Sequence, residues 1–251
     1  MAPAAPLAMR TGPHQTGFCS TGFSPARHDV LRTCFLPIPP RIQRPCVILV
    51  SFRANHMSTE LNISLRLATA TDIPALHKLI ETSVRSLQRN DYTPEQIEGA
   101  LGTVLGLDTQ LVADGTYFIA EARAACARIL AGCGGWSKRK TLFGSDRAPV
   151  REPELLDPST DAAKIRAFFI HPNFARRGIG TRILESCEAA AHAAGFSRFE
   201  MGATLTGVPL YLARGYQILD RIEVPLPNGH SLPVVRMSKS GTTQPGAPGL
   251  P

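Results

Sequence analysis

The stretch that most constrains the fold of this chain is a short apolar run followed at once by a basic, glycine-containing turn and a helical pattern. Residues 165–170 are rich in Phe and Ile, with one interior Arg, and they predict a buried strand. Pro172 ends that strand, because proline cannot donate a hydrogen bond to a sheet. From Ile179 up to Gly195 the apolar side chains recur mostly three or four residues apart, which predicts a helix.

The turn between this strand and this helix predicts an anion-binding site. Arg176 and Arg177 supply positive charge, and Gly178 and Gly180 let backbone N–H groups approach a ligand closely. The helix N-terminus adds unpaired N–H donors and the positive end of the helix dipole. The turn contains neither GKS or GKT nor GxGxxG, which argues against a P-loop NTPase and against a dinucleotide-binding fold.

Two motifs in this half of the chain resemble those of the GCN5-related N-acetyltransferase family. Residues 175–180, ARRGIG, are similar to its pyrophosphate-binding loop, Q/R-x-x-G-x-G/A, except that Ala175 stands where the family often has Gln or Arg. Further along, Tyr211 and Gly215 lie in the segment PLYLARGY, which resembles the late Y-x-x-x-G-F/Y motif of the family. The order and spacing of the two motifs also agree, and the resemblance covers residues 62–239.

The resemblance implies an α/β (α+β) fold, the acyl-CoA N-acyltransferase fold, in which helices flank a mixed, mostly antiparallel sheet of about seven strands. The hydrophobic patterns agree with it. Strands are predicted at 62–68, 117–123, 129–136, 165–170, 198–204, 218–224 and 232–238. Helices are predicted after Asp72, from the capping box at Thr93, from Ile179 and around Tyr211.

Residues 1–56 differ from the rest of the chain. They hold eight prolines, six arginines, no lysine and one acidic residue, Asp29, so most of the net charge of +7 resides there. This composition predicts a disordered basic extension, followed by an N-acetyltransferase domain at 57–239 and a disordered tail at 240–251. The extension fits a targeting segment, a flexible tail or a start of translation at Met57, and the clean opening MSTELNISLRLAT favours the last.

The charge, the hydropathy and the cysteines argue against several classes of function. The chain after the extension is nearly neutral, so the basic pI gives no reason to expect nucleic-acid binding. No apolar run reaches membrane-spanning length, so no membrane partner is expected. The six cysteines are scattered without a CxxC pair, which favours free thiols in a reducing cytoplasm over disulfides or a metal site.

The resemblance also implies acetyl-CoA as cosubstrate and no metal. The backbone near Phe169 and Ile170 would pair with the pantetheine arm as an added strand and polarise the thioester carbonyl. Tyr211 would be the general acid, because a phenol remains protonated at neutral pH and can protonate the departing thiolate. The residues that would hold the pyrophosphate are Arg176, Arg177, Gly178, Ile179, Gly180 and Thr181.

The general base stays open at this stage. Some members of the family carry a glutamate near the start of the central strand, where this chain has Lys164. Glu200, Glu121 and His171 are the alternatives, directly or through a chain of water. Thr204 stands where the family commonly has an asparagine, so the contact of that asparagine is not transferred to this chain.

The expected activity is transfer of the acetyl group of acetyl-CoA to the primary amine of a small molecule. The loop at 137–162 is long for a compact domain and precedes the central strand, which predicts that it covers the acceptor amine. Two alternatives remain. A protein or peptide N-acetyltransferase would need an open groove, and a non-catalytic acyl-CoA sensor is favoured by Lys164 but opposed by Tyr211. Members of the family often pair, so a homodimer is a further expectation.

Overall fold

The computed structural model describes residues 62–124 and 127–240. The strands of this region form one seven-stranded sheet, which confirms the predicted mixed, mostly antiparallel architecture. Every predicted strand is present, and β3 and β4 each begin two residues earlier than expected. The strands are β1 Asn62–Leu67, β2 Tyr117–Ala124, β3 Ala127–Ser137, β4 Ala163–Ile170, β5 Arg198–Thr204, β6 Gln217–Pro225 and β7 Ser231–Ser240.

The strand order is β1-β2-β3-β4-β5-β7-β6, and a cleft opens in the middle of the sheet. All neighbours are antiparallel except β4 and β5, which run parallel. These two strands pair only at Ala163 with Phe199 and at Lys164 with Glu200. Beyond this point they diverge, and within residues 62–124 and 127–240 no strand pairs with the facing backbone edges of β4 and β5.

A β-bulge bends β4 beside this cleft. Gly135 pairs with Arg166 and Cys133 pairs with Phe169, so β4 has one residue more than β3 over this stretch. Ala167, inside the bulge, has a φ of 56°, a left-handed conformation that is unfavourable for a residue with a Cβ. Contacts around Ala167 must therefore hold it in this conformation.

Within the described residues, five α-helices flank the sheet. One face of the sheet packs against α1, which buries Leu76, Leu79 and Val84, and the other against α4, which buries Ile179, Ile183 and Leu184. The helix α3 was not predicted, because its five residues are too few to show a helical repeat of apolar side chains. The helices are α1 Ile73–Leu87, α2 Pro94–Ala100, α3 Thr109–Ala113, α4 Ile179–Ala193 and α5 Val208–Leu212.

Local signals in the sequence account for several element ends. The hydroxyl of Thr93 accepts from the N–H of Gln96 at 3.3 Å, and the side chain of Gln96 accepts from the N–H of Thr93 at 3.0 Å, which confirms the capping box at the start of α2. The turn between β6 and β7 has Gly229 at a φ of 82°, as the predicted hairpin requires.

The predicted extension at 1–56 lies outside the described residues, and so does the tail from residue 241 onward. Of the helices in the described part of the chain, none combines the length and the apolar character that crossing a membrane requires.

Candidate active site

The cleft between β4 and β5 contains a partly enclosed cavity of about 60 Å³. Residues 165–169 of β4 and 201–204 of β5 line it, and Tyr211 of α5 completes one side. A cavity of this volume has room for a few water molecules or one small chemical group. Its size suits the reacting end of a substrate, whose remainder would have to lie in adjoining grooves.

The long loop between β3 and β4 forms part of the cavity wall. Leu142, Phe143 and Gly144 belong to its wall. Phe143 packs on Gly202 of β5, where an added Cβ would lie 2.8 Å from the Phe143 ring. The loop therefore occupies the covering position that its length predicted, and the glycine of β5 leaves the space that the aromatic ring fills.

The basic turn lies at the start of α4, as predicted. Arg176 and Gly178 have φ values of 63° and 76°, so two left-handed residues turn the chain into the helix. An added Cβ at Gly178 would meet no atom within 4 Å, so the space beside this residue is open. The N–H groups of the first turn of α4 precede the first intrahelical acceptor and are available to an anion.

The arginines of this region form a positive surface beside the helix N-terminus. Arg176, Arg177 and Arg182 are exposed, and no carboxylate of the described residues lies within ion-pair distance of them. The guanidinium of Arg177 lies 6.0 Å from the centre of the Phe174 ring, which orients it without neutralising it. Unneutralised guanidinium groups at a helix N-terminus are the combination that binds phosphate groups.

The predicted cosubstrate residues on β4 and α4 converge at Gly180. An added Cβ at Gly180 would lie 3.1 Å from Leu210 of α5 and 4.0 Å from Ile170 of β4. Phe169 lines the cavity. The N–H of Ile170 donates to the hydroxyl of Ser83 on α1 at 3.2 Å, so a ligand that takes this donor has to displace the serine hydroxyl. Ser83 was not identified from the sequence, because its contact depends on how α1 packs on β4.

Tyr211 lies in the cavity wall with its ring buried. It packs edge-on against Phe168 of β4, with ring centres 6.2 Å apart, and against Tyr216, at 5.9 Å. Gly207 makes room for the ring, since an added Cβ there would lie 2.9 Å from it. Burial raises the pKa of the Tyr211 phenol, so the hydroxyl stays protonated at neutral pH. The geometry is compatible with the predicted role of Tyr211 as a general acid, which stays a prediction.

Glu200, one of the candidate bases, is paired with Lys164 at the last contact between β4 and β5. Arg236 also donates to Glu200, at 3.0 Å. Burial acts to raise the pKa of Glu200, but the hydrogen bonds and charges of Lys164 and Arg236 outweigh it and hold that pKa below its ordinary value. An ionised carboxylate shared between two cations is a weak proton acceptor.

The other two candidate bases also have partners. Glu121 accepts from Arg66 at 2.8 Å, and the Nδ1 atom of His171 accepts from the N–H of Asn173 at 3.2 Å. Like Lys164 and Glu200, they lie outside the wall of the cavity. The structure therefore places Tyr211 and Phe169 in one cavity wall and the basic turn against the neighbouring Leu210 and Ile170, but leaves all three candidate bases outside that wall.

The interior arginine of the central strand belongs to a buried charge cluster that the sequence did not reveal. Arg166 donates to the carboxylate of Asp108 at 2.6 Å and to the carbonyl of Gly144 at 2.7 Å. Asp108 caps α3, and its other oxygen accepts from Arg151 at 2.6 Å. The only signal was an arginine inside an apolar strand, whose partner lies 58 residues away in the chain.

Comparisons with known proteins agree with this fold. A family model described as an acetyltransferase (GNAT) domain matches residues 156–239. A GCN5-related N-acetyltransferase from Rhodopseudomonas palustris is 20% identical over 72% of this chain and 97% of its own length, with a TM-score of 0.51. The PaiA N-acetyltransferase from Thermoplasma acidophilum, solved with coenzyme A, is 14% identical over 72% of this chain and 99% of its own length, with a TM-score of 0.48.

A sequence comparison with curated proteins gives no match. The matched segment contains β4, the basic turn, α4 and Tyr211, which are the elements that build the candidate site. With a TM-score of 0.51, the structure from Rhodopseudomonas palustris shares its fold with this chain. Residues 156–239 match the acetyltransferase (GNAT) domain model, and the chain has the fold of the GCN5-related N-acetyltransferases.

Proposed function

We propose that the protein transfers the acetyl group of acetyl-CoA to the primary amine of a small molecule. The observation that carries the proposal is the divergence of β4 and β5, which opens a cavity of about 60 Å³ lined by Tyr211, while Gly180 of the basic turn packs on Leu210, the neighbour of Tyr211. The basic turn suits an anion, and the cavity suits a small reacting group. A thioester of coenzyme A has both features, a pyrophosphate and an acyl group joined by a long arm.

The residues present fit such a ligand. The open space beside Gly178 and the free arginines of the turn favour a diphosphate at the start of α4. The unpaired edge of β4 beyond Lys164 offers backbone groups to an extended, amide-containing arm. Gly180 lets the start of α4 pack closely on Leu210 of α5, next to Tyr211 in the cavity wall.

When bound, acetyl-CoA supplies an acyl carbon activated as a thioester. In the transfer, a C–N bond to the amine forms, the C–S bond breaks and the amine loses a proton. Tyr211 holds a proton on its phenol and can donate it to the departing sulfur. The backbone at the bulge around Ala167 adds N–H donors that can stabilise negative charge on the carbonyl oxygen. The described residues of the cavity wall include no carboxylate and no imidazole, so the proton that the amine loses passes to water.

The covering loop supports a small acceptor over a protein or peptide. Phe143 fills the space above Gly202, so the cavity is closed on the side where a peptide would need an open groove. The expected general acid, Tyr211, is present, and this supports a catalytic role rather than a role limited to sensing acyl-CoA.

Calorimetric titration of the full-length chain with acetyl-CoA tests the donor site. We expect saturable binding that Arg177→Glu abolishes and that Arg123→Glu, an equal charge change at an exposed residue of β2, leaves unchanged. Release of free thiol from acetyl-CoA with a panel of amines and peptides then tests turnover. A folded chain that fails to bind acetyl-CoA would contradict the proposal, and turnover of peptides alone would replace it with the protein alternative.

A further inference from the structure

Arg166 is buried with one of its donors unsatisfied. Its side chain is 3% exposed, yet among the described residues the Nε–H group has no hydrogen-bond partner. Native proteins rarely leave a buried polar group unpaired, and an unpaired donor on a charged group is costly. An aliphatic side chain would fill this position in a strand at lower cost. The arrangement therefore suggests that a ligand completes the hydrogen bonding of Arg166.

A second guanidinium group lies beside Arg166. Arg166 and Arg151 each donate to one oxygen of the buried carboxylate of Asp108, at 2.6 Å in both cases. The side chain of Arg151 is 31% exposed, and it also contacts Asp146 at 3.2 Å. Arg151 is therefore a second cation, partly open to solvent, at the place where an anion would reach Arg166.

Arg166 also joins two cavities. It forms part of the wall of the 60 Å³ cavity beside Tyr211 and part of the wall of a second cavity of about 390 Å³. The wall of the second cavity includes the charged residues Asp108, Asp146, Arg139 and Arg151. A molecule in the larger cavity would therefore lie next to the residue that borders the proposed reaction site.

We propose that the amine acceptor carries a carboxylate, and that Arg166, with Arg151 beside it, binds this carboxylate. The inference rests on the proposed acetyltransferase function and names its class of acceptor, an amino acid. A carboxylate oxygen that accepts from Nε of Arg166 satisfies the buried donor, and the guanidinium of Arg151 beside it adds a second favourable charge. Arg166 is then a specificity residue: it holds the end of the acceptor that does not react.

The test compares acceptors that differ only in the carboxylate. Full-length protein is assayed for thiol release from acetyl-CoA with the common L-amino acids, their primary amides and the corresponding decarboxylated amines. We expect one or more amino acids to be acetylated with a kcat/KM about 10- to 100-fold above that of the matched amide, the difference that a buried charge-assisted hydrogen bond makes. The difference should appear mainly in KM, because the carboxylate is bound equally before and during reaction.

Two variants locate the effect. Arg151→Met leaves the pair of Arg166 and Asp108 intact but removes the second cation beside it, so the preference for the acid should fall. Arg166→Met combined with Asp108→Asn removes a buried pair together, which avoids an isolated buried charge, and should abolish the preference. Arg123→Met is the control, because this exposed arginine of β2 is remote from both cavities. Circular dichroism verifies that each variant is folded.

The outcomes separate this inference from the proposed function. Acetylation of amides or simple amines as fast as of amino acids would overturn the inference and leave the acetyltransferase activity standing. A preference for acids that survives in both cluster variants would also overturn it. Failure of the folded protein to bind acetyl-CoA at all would overturn both, and calorimetry detects this before any acceptor is added.

Discussion

The phenol of Tyr117 donates a hydrogen bond to the carbonyl oxygen of Ala167 across 2.9 Å, and so ties a buried side chain of β2 to the bulge of β4. Tyr117 is fully buried, and the Cys133 thiol of the intervening strand lies 3.2 Å from its oxygen. Ala167 is the residue that the bulge holds in the left-handed region. The hydrogen bond therefore fixes the orientation of a strained peptide at the wall of the candidate active site.

Tyr117→Phe should destabilise the protein by about 1–3 kcal/mol, because it leaves the buried carbonyl of Ala167 without its partner. Urea unfolding measures the change. The substitution should also lower kcat for acetyl transfer more than it raises the KM for acetyl-CoA, since the bulge borders the reacting atoms. Ala167→Gly, which relieves the unfavourable φ, is the companion variant and should leave stability within about 1 kcal/mol of wild type. A Tyr117→Phe protein with unchanged stability would contradict the interpretation.

Tyr211→Phe should reduce kcat by about 10²- to 10⁴-fold while acetyl-CoA binding persists, because the variant keeps the ring but loses the proton of the expected general acid. Burial raises the pKa of this phenol, so its deprotonation should not limit the rate anywhere in the neutral range. Tyr216→Phe is the matched control: its hydroxyl contacts Glu188, outside the cavity wall, at 2.9 Å. Steady-state kinetics of both variants measures the difference, and an equal effect in both would argue against a chemical role for Tyr211.

Phe143→Ala should widen the range of acceptors. Removal of the ring opens the cavity over Gly202, so bulkier amines should gain activity relative to the best wild-type acceptor. The assay is a competition between a small and a large amine of the same class. Leu155→Ala, an exposed residue of the same loop, serves as control. If the ratio of the two products does not change, the loop does not limit the size of the acceptor.

The parts of the site that depend on neighbouring residues were predictable from the sequence. The basic turn, the helix after it and the hairpin around Gly229 are each specified by residues close together in the chain. The structure has all three where they were predicted. The bulge at Ala167 was not predictable, because alanine carries no local preference for a left-handed φ. The contact between Arg166 and Asp108 was missed for a related reason. It depends on the packing of a loop and a strand that are distant in the chain.

Acid should destabilise the protein in part through Asp72. Hydrogen bonds from Arg66 hold the pKa of this carboxyl well below its ordinary value, even though burial acts in the opposite direction. A carboxyl whose pKa is lower in the folded state than the unfolded value of about 3.9 stabilises the fold fully above about pH 5, and this contribution is lost as the pH falls further. Asp72→Asn should therefore flatten the dependence of the urea midpoint on pH below about pH 5. Arg66→Gln should act likewise, because it removes the partner, and an unchanged dependence in both would contradict the assignment.

Gly178→Ala and Gly229→Ala form a matched pair that separates backbone strain from ligand binding. The two glycines have φ values of 76° and 82°, and an added Cβ meets no atom within 4 Å at either position. Each substitution should therefore cost a similar free energy of unfolding, about 1–2 kcal/mol, for placing an alanine in the left-handed region. Only Gly178 lies at the N-terminus of α4, where backbone N–H groups would contact the pyrophosphate. Calorimetry should show weaker acetyl-CoA binding for Gly178→Ala and unchanged binding for Gly229→Ala. If the two variants are equally destabilised and bind acetyl-CoA with equal affinity, the backbone of the turn does not contribute to the donor site.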